Sequence, residues 1–479
     1  MQDAAHGSLL RSTRQQLHAL IADALETYSP ELMDSQPELF AQHYAEGGLI
    51  EKSVAYWGKA GRRSAARSAM AEAAGQYQRG LDQLTLLPDD PERQRQELDF
   101  CSALGPALMA AKGNAAPETG QAYARAKKLW EQLGSPSEFL RVPYGLQAYH
   151  AGRGEYDLAL RLDEDLLRVS RERDDRGGLL LGHLASGRNL LMVGRLVPSR
   201  SHLEQALAVY DPTSHRSLGR QVGFHPNVNS LFSLGIALFL LGFSDQAFAQ
   251  ITASIAEARR LAHAQSLAGS LAVRGILLSL VGESAVLGDW AHQLVTLATE
   301  QGFPYWRAQG TIYLGWAKVN KNGDLAEGIS LLRSGRDAFR ATGAELLMPH
   351  YTDLIARACQ IAGQIEEASN LFDDALQIVQ RTGERWLEAE LCRHKGQMLV
   401  RQGHPEAAQQ HYHKALHIAE EQDAKLWELR AAVSLARLRR DQGRRAEARD
   451  LLAPVYGWFT EGFDTPDLKE AKALLDELR

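Results

Sequence analysis

Residues 363–375 read GQIEEASNLFDDA and residues 403–415 read GHPEAAQQHYHKA. In both, a glycine is followed five residues later by an alanine (Ala368, Ala408) and twelve residues later by another (Ala375, Ala415). The series extends outward through Gly48, Gly113, Gly154, Gly194, Gly242, Gly282, Gly323, Gly363, Gly403 and Gly443, at spacings of 65, 41, 40, 48, 40, 41, 40, 40 and 40. Self-similarity at a fixed period is the mark of a stacked-repeat protein.

The neighbours of these glycines say what the repeat is. The position five residues on is small in eight of ten units (Ser53, Ala159, Ser199, Ala247, Gly328, Ala368, Ala408, Ala448), and Glu118 and Leu287 break the rule. Seven residues before the glycine, small residues recur as Ala41, Gly187, Gly235, Gly275, Ala356, Gly396 and Ala436. Small residues on both sides of one turn let two antiparallel helices approach closely. Gly302, Gly343 and Gly383 mark a second turn about twenty residues earlier in the period. Glycine suits a helix end because it takes the left-handed conformation without a Cβ clash. Leu371, Ala375, Ile378 and Val379, and likewise Leu387, Leu391, Met398 and Leu399, repeat at helical intervals. The spacing therefore predicts two helices of roughly sixteen residues per unit. The expected fold is all-α, a right-handed solenoid of about ten helix pairs with a ~40-residue period.

The small–glycine–small marks resemble the tetratricopeptide repeat (TPR) over residues 38 to 460. The period is 40 rather than the 34 of that motif, and length alone would also permit a HEAT-like unit. The aromatic–Leu–Gly core is partial, as at Leu234-Gly235 and Leu314-Gly315. The alanine positions favour the TPR reading.

Composition narrows the function. A chain of 479 residues exceeds one globular core, but a solenoid need not split into compact domains. The net charge of −6 argues against a broad nucleic-acid surface. Cys101, Cys359 and Cys392 are scattered and odd in number, as expected of buried free thiols in a reducing cytoplasm. Residues 231–241 and 276–281 are apolar but too short for a membrane span and are expected as core-facing helices, and the N-terminus lacks signal-peptide architecture.

The two ends carry a more specific resemblance. Residues 8–27 (SLLRSTRQQLHALIADALET) form an amphipathic helix with Leu9, Leu10, Leu17, Leu20, Ile21 and Leu25 along one face, before the Pro30/Pro37 break. Residues 2–10 (QDAAHGSLL) followed by 14–18 (RQQLH) resemble the last part of the winged-helix segment that follows the nucleotide-binding domain in bacterial signalling ATPases. Gln36-Pro37-Glu38-Leu39, His43-Tyr44, Tyr56-Trp57 and Ala60-Gly61 resemble the start of the TPR array in the same proteins. Residues 451–465 (LLAPVYGWFTEGFDT) and 467–471 (DLKEA) resemble the terminal signature of members that add a class III adenylate/guanylate cyclase domain. The resemblance implies a helical remnant over 1–29, a solenoid over 36–479 and a regulatory role toward an ATPase or cyclase domain. Its catalytic parts are not carried: no G-x-x-x-x-G-K-[ST] loop occurs, Gly58-Lys59-Ala60 lacking the upstream glycine and the hydroxyl, and no cyclase metal pair is identifiable. Were residues 8–27 a remnant, Leu10, Leu17 and Ile21 would be partly exposed; complete burial would favour a start at Met1.

Side-chain clusters offer several candidate sites. His215, Arg216, Arg220 and His225 lie in the polar segment 211–228, which holds the eight-residue excess before Gly242 and would contact an anionic ligand if it is more than a surface insertion. Tyr305, Trp306, Tyr313 and Trp316, with Phe303, would line a concave groove or pack between helix pairs. His394, His404, His411, His413 and His417 include an i, i+4 pair but no completed metal motif, so a solvated helix face is the reading preferred. The arginines from Arg437 to Arg449 are interleaved with Asp441, Glu447 and Asp450, as in a solvated turn with local ion pairs. No G-x-S-x-G occurs, and Glu366-Glu367 and Asp373-Asp374 are neighbours that point apart. No catalytic residue, cofactor or metal is assigned. The expected function is a non-catalytic, cytoplasmic interaction solenoid. Its partner is a protein or peptide held on the first helices of successive repeats, among them an ATPase/cyclase domain in cis or trans. The alternative is a sensor that holds a small-molecule effector in the superhelix groove. Neither nucleic acid nor membrane is an expected partner.

Overall fold

The computed structural model describes residues 11–136, 139–215, 217–320 and 324–479, save the side chains of Arg11 and Arg220. Arg216, Gly323 and residues 1–10, with Leu10 and the first part of the N-terminal resemblance, lie outside the described residues. Every regular element among the described residues is an α-helix, and the architecture is a TPR-like helical repeat. The chain forms two compact units, Met1–Leu146 with Arg220–Gly223, and Gln147–Gly219 with Phe224–Arg479.

The turn glycines do what their spacing implies. Gly48, Gly154, Gly194, Gly242, Gly282, Gly363, Gly403 and Gly443 all have positive φ. At the second turn Gly302, Gly343 and Gly383 do the same, and one period away Ala262 and Asp423 take the same left-handed backbone without being glycine. That is why the second glycine series is incomplete in the sequence. The small positions permit contact between helix backbones: a Cβ on Gly315 would lie 2.7 Å from the Gly328 carbonyl oxygen and 2.7 Å from the Leu332 nitrogen. Gly315 and Gly328 belong to the adjacent helices Pro304–Asn320 and Leu325–Arg340.

Two irregular spacings have structural causes. The 65-residue interval from Gly48 to Gly113 contains three helices, Ile50–Ala66, Met70–Leu84 and Pro91–Lys112, so the first unit holds one helix beyond a simple succession of pairs. The excess before Gly242 forms the short helix Leu218–Val222.

In the first unit, helix Arg11–Tyr28 buries Ala22 and part of Leu25 against Phe40 and Tyr44. Its other face stays open: Leu17 is 42%, Leu20 64% and Ile21 42% exposed. In the second unit, the first helices of the repeats are buried nearly all round, whereas the second helices bury one stripe. Met348–Ile361 buries residues on every face, while Ile365–Thr382 buries only Ala368, Phe372, Ala375, Val379 and Thr382. Helix Ala264–Val281 is long and apolar enough to cross a membrane, with mean hydropathy 1.4, but 78% of it is buried inside the protein. It serves as a core helix of this unit. Cys101, Cys359 and Cys392 are buried free thiols.

The contrast between close and open glycines is testable. Gly315→Ala is expected to lower the unfolding free energy by about 1–3 kcal/mol, because backbone, not a pliable side chain, opposes the new methyl. Gly75→Ala, where nothing lies within 4 Å of the added Cβ, is expected to be neutral or stabilising by up to about 1 kcal/mol. Urea denaturation of the two variants checks both.

Candidate functional site

The first helices of the second unit carry a set of charges into its interior. Asp353 and Glu390 are each 1% exposed. Asp353 Oδ1 lies 2.6 Å from His394 Nδ1. Arg393 donates to Glu390 through Nε and Nη2, both at 2.7 Å. Arg430 donates to Glu390 at 2.9 Å, to both oxygens of Asp467 at 2.7 and 2.9 Å, and to the Leu280 carbonyl at 2.7 Å. Arg357 lies 4.5 Å from the centre of the Trp316 ring and 3.8 Å from Asp353. Three arginines thus face three carboxylates, with His394 between them. Burial pushes Glu390 up, yet Arg393 and Arg430 outweigh it and hold the carboxyl well below its ordinary range. Burial likewise raises Asp353, and His394 and Arg357 bring it below its ordinary value. Such a network defines one arrangement of the helices more than it adds stability, because desolvation offsets much of the attraction.

A second buried group joins parts of the unit far apart in sequence. Glu384 accepts from the Tyr156 hydroxyl at 3.2 Å, from the Leu347 nitrogen at 3.0 and 3.1 Å, and from Trp386 Nε1 at 2.9 Å. Around it, the Gly152 carbonyl accepts from the nitrogens of Glu345 and Leu346, and the Met192 carbonyl from those of Arg385 and Trp386. The two acceptors are 40 residues apart, and so are the two donor pairs. One superhelical turn therefore rests on the next, with the same bonds repeated one period along. Glu461 supplies a further step: its carboxylate accepts from the nitrogens of Asp245 and Gln246 at 3.0 and 3.1 Å, at the start of helix Ser244–Arg260. The terminal stretch 451–465 is in this way a strap that caps an earlier helix.

The candidate residues fall near one another, in protein rather than around an open groove. His215 and His225 flank the Tyr210 ring, at 6.1 and 5.7 Å between centres. His215 Nδ1 accepts from the Asp211 nitrogen at 3.0 Å. His225 is 2% exposed, and neither of its ring nitrogens has a hydrogen-bond partner. Burial lowers its pKa and so favours the neutral ring. Next to it, Phe224 packs on Trp306, which packs on Tyr305, so the segment 211–228 and the aromatic set adjoin. Tyr305, Tyr313 and Trp316 are buried, against Phe339, Tyr351 and Arg357 respectively, and Trp306 is half-buried. Arg216 and the side chain of Arg220 lie outside the described residues.

The histidine set does not converge. His394 is bound to Asp353 in the core, while His417 is exposed beside Glu421. Among the described residues no three His, Cys, Asp or Glu side chains are grouped to hold a metal ion. The arginines near Gly443 are ion-paired, Arg437 with Glu470, Arg440 with Glu477 and Arg444 with Glu447. Sequence reasoning missed Glu384, Arg430 and Asp467. The available signal was the recurrence of charge at Asp353 and His394, 41 residues apart, on helices otherwise read as core.

Residues 345–421 match the tetratricopeptide-repeat family model. They contain Glu384, Glu390, Arg393 and His394. The chain is 25% identical over 443 residues to the uncharacterized protein R02095 of Rhizobium meliloti (strain 1021), covering 91% of this chain and 43% of that protein. It thus spans less than half the length of the curated relative it matches. A Rap protein solved in complex with Competence and Sporulation Factor superposes with a TM-score of 0.54 at 13% identity, covering 78% of this chain and 99% of that one. The Cut9–Hcn1 structure of the APC/C gives 0.44 at 13% identity, covering 98% and 94%. The Rap likeness concerns the fold, a TPR-like helical repeat.

Burial pushes Glu384 up to about 7, against the hydrogen bonds from Trp386, Leu347 and Tyr156 that favour its anion. The folded state keeps this proton at pH values where the unfolded chain has released it. The group therefore favours folding below the ordinary glutamate range, and that contribution is lost as pH rises through about 7. Between about pH 5 and pH 8 the stability of the wild type relative to Glu384→Gln is expected to fall by an amount of order 1–3 kcal/mol. Paired urea titrations at the two pH values measure it; parallel behaviour of the two proteins would show that Glu384 is ionised throughout.

Proposed function

We propose that this chain is a non-catalytic interaction solenoid, the regulatory or sensor arm of a signalling ATPase/adenylate cyclase system, acting on that domain in cis or trans in the cytoplasm. The observation that carries the proposal is the open apolar stripe of Leu17, Leu20 and Ile21 on the helix that precedes the repeats. A contiguous exposed apolar face on a helix calls for a partner. Support comes from the resemblance of both ends to such proteins, and from a relative more than twice as long as the matched segment. The Rap protein, in complex with Competence and Sporulation Factor, is an example of the fold with a bound partner. In this reading the filled interior of the second unit acts as a rigid body, and contact with the ATPase or cyclase is made at the open stripe.

A second reading, a small-molecule effector sensor, draws on His225, whose imidazole is buried with both nitrogens unsatisfied beside Tyr210. A ligand or ordered water would satisfy it.

Co-purification of the tagged chain from its native cytoplasm, followed by mass spectrometry, separates the two readings. A nucleotide-binding ATPase or a cyclase is expected in the eluate of the wild type and is expected to be lost with Leu20→Lys/Ile21→Lys. A monomer without either would overturn the regulatory-arm reading and direct attention to ligand screening by thermal shift. The purified chain given ATP and a divalent metal is expected to form no cyclic AMP, and detectable product would refute the non-catalytic assignment.

A further inference from the structure

Helix Ala264–Val281 is the most apolar long helix among the described residues, and Arg274 is its sole charged residue. The guanidinium is held between two rings, 4.5 Å from the centre of Trp290 and 5.9 Å from that of Phe248. Its polar contact is long, Nη1 to the Thr252 hydroxyl at 3.4 Å. Its Nε is buried with no acceptor. No carboxylate among the described residues lies within ion-pair distance, and Glu283 acts on it only at longer range. An arginine fixed by aromatic faces and left without an anion is an unusual use of a desolvated charge.

The repeat supplies an internal control. Arg274 stands eight residues before Gly282, and Lys395 stands eight before Gly403; these two are the only charged residues at that place in the ten units. Twenty-two residues before each comes the facing position on the preceding helix, Thr252 for Arg274 and Asp373 for Lys395. Lys395 Nζ is 2.7 Å from Asp373 and 2.9 Å from the Ser369 hydroxyl. The same site is thus neutralised from within in one repeat and left open in the other.

Arg274 also faces space. It lines an open groove of about 720 Å³ with Ala249, Ala253, Ala256, Leu278 and Glu283. The alanines keep the wall low and apolar on one side. One cation can neutralise one negative charge, and Glu283 in the same groove disfavours a second.

We propose that this groove, lined by helix Ser244–Arg260, helix Ala264–Val281 and Glu283, binds a small organic monocarboxylate. Its carboxylate pairs with Arg274 and its apolar body lies on Ala249, Ala253, Ala256 and Leu278. The site goes beyond the partner reading above and shares no residue with the stripe on which that reading rests.

The test is calorimetric titration of the full chain with sodium octanoate, with methyl octanoate and octyl phosphate as comparisons. Saturable one-to-one binding of octanoate is expected, with no binding of the neutral ester and weaker binding of the phosphate. Arg274→Gln is expected to weaken octanoate binding by about tenfold or more, the usual worth of a charge-assisted pair. Thr252→Asp places a carboxylate where Asp373 stands in the other repeat; it is expected to abolish binding without lowering the melting temperature, which keeps the test decisive if Arg274→Gln folds poorly. Absence of saturable octanoate binding to the wild type would overturn the proposal. So would retained affinity in Thr252→Asp, or octyl phosphate binding as tightly as octanoate.

Discussion

The contact on which the second unit depends is the bond between successive superhelical turns, made where Gly152 and Met192 carbonyls receive backbone donors from residues 345–346 and 385–386. Such contacts form only if each repeat adds the same rotation and rise as the last. That uniformity rests on helix pairs packed at backbone distance, as Gly315 against Gly328 shows. A bulkier residue at those places would change the spacing of one pair, and the mismatch would be carried along the stack to every later contact between turns. The small residues around each glycine therefore determine long-range structure as well as local packing, which is the one-dimensional logic of repeat proteins extended by a closing contact.

Around this closure the interior is aromatic and charged at once. Trp316, Trp386 and Trp427 are buried at under 2% exposure, and the guanidinium groups of Arg357 and Arg430 lie over the Trp316 and Trp427 rings. Trp427 Nε1 donates to the Trp386 carbonyl, so even the rings tie one repeat to the next. Apolar packing alone would tolerate a slip of one helix along another. A bidentate arginine between Glu390 and Asp467 does not, because any slip strands a buried charge.

Much of the fold was legible because it is written in local terms. A positive-φ glycine every 40 residues and a small residue five positions later report on turns and on contacts within one helix pair, and both lie inside a short window of sequence. The contacts that make the site were hidden for the opposite reason. Tyr156 meets Glu384 across 228 residues, and Arg430 meets the Leu280 carbonyl across 150. Nothing in either window marks the partner, and the superhelical pitch that brings them together is not a property of any one repeat. The aromatic set shows the intermediate case: Tyr305, Tyr313 and Trp316 were visible as a cluster, but only the packed neighbours Phe339, Tyr351 and Arg357 show which side they face.

This geometry constrains how the second unit can recognise anything. An open superhelix presents its first helices to a partner, as expected from the sequence. Here those helices are buried nearly all round and are joined by the Glu384 bonds and the charge network. Grooves lined in part by second helices remain open. They are built from the exposed faces of helices such as Ser244–Arg260, whose alanines at 249, 253 and 256 leave room. Variation in function along such an array is then most easily acquired on the outside, one repeat at a time, by changing a single neutralising residue such as that opposite Arg274 or Lys395.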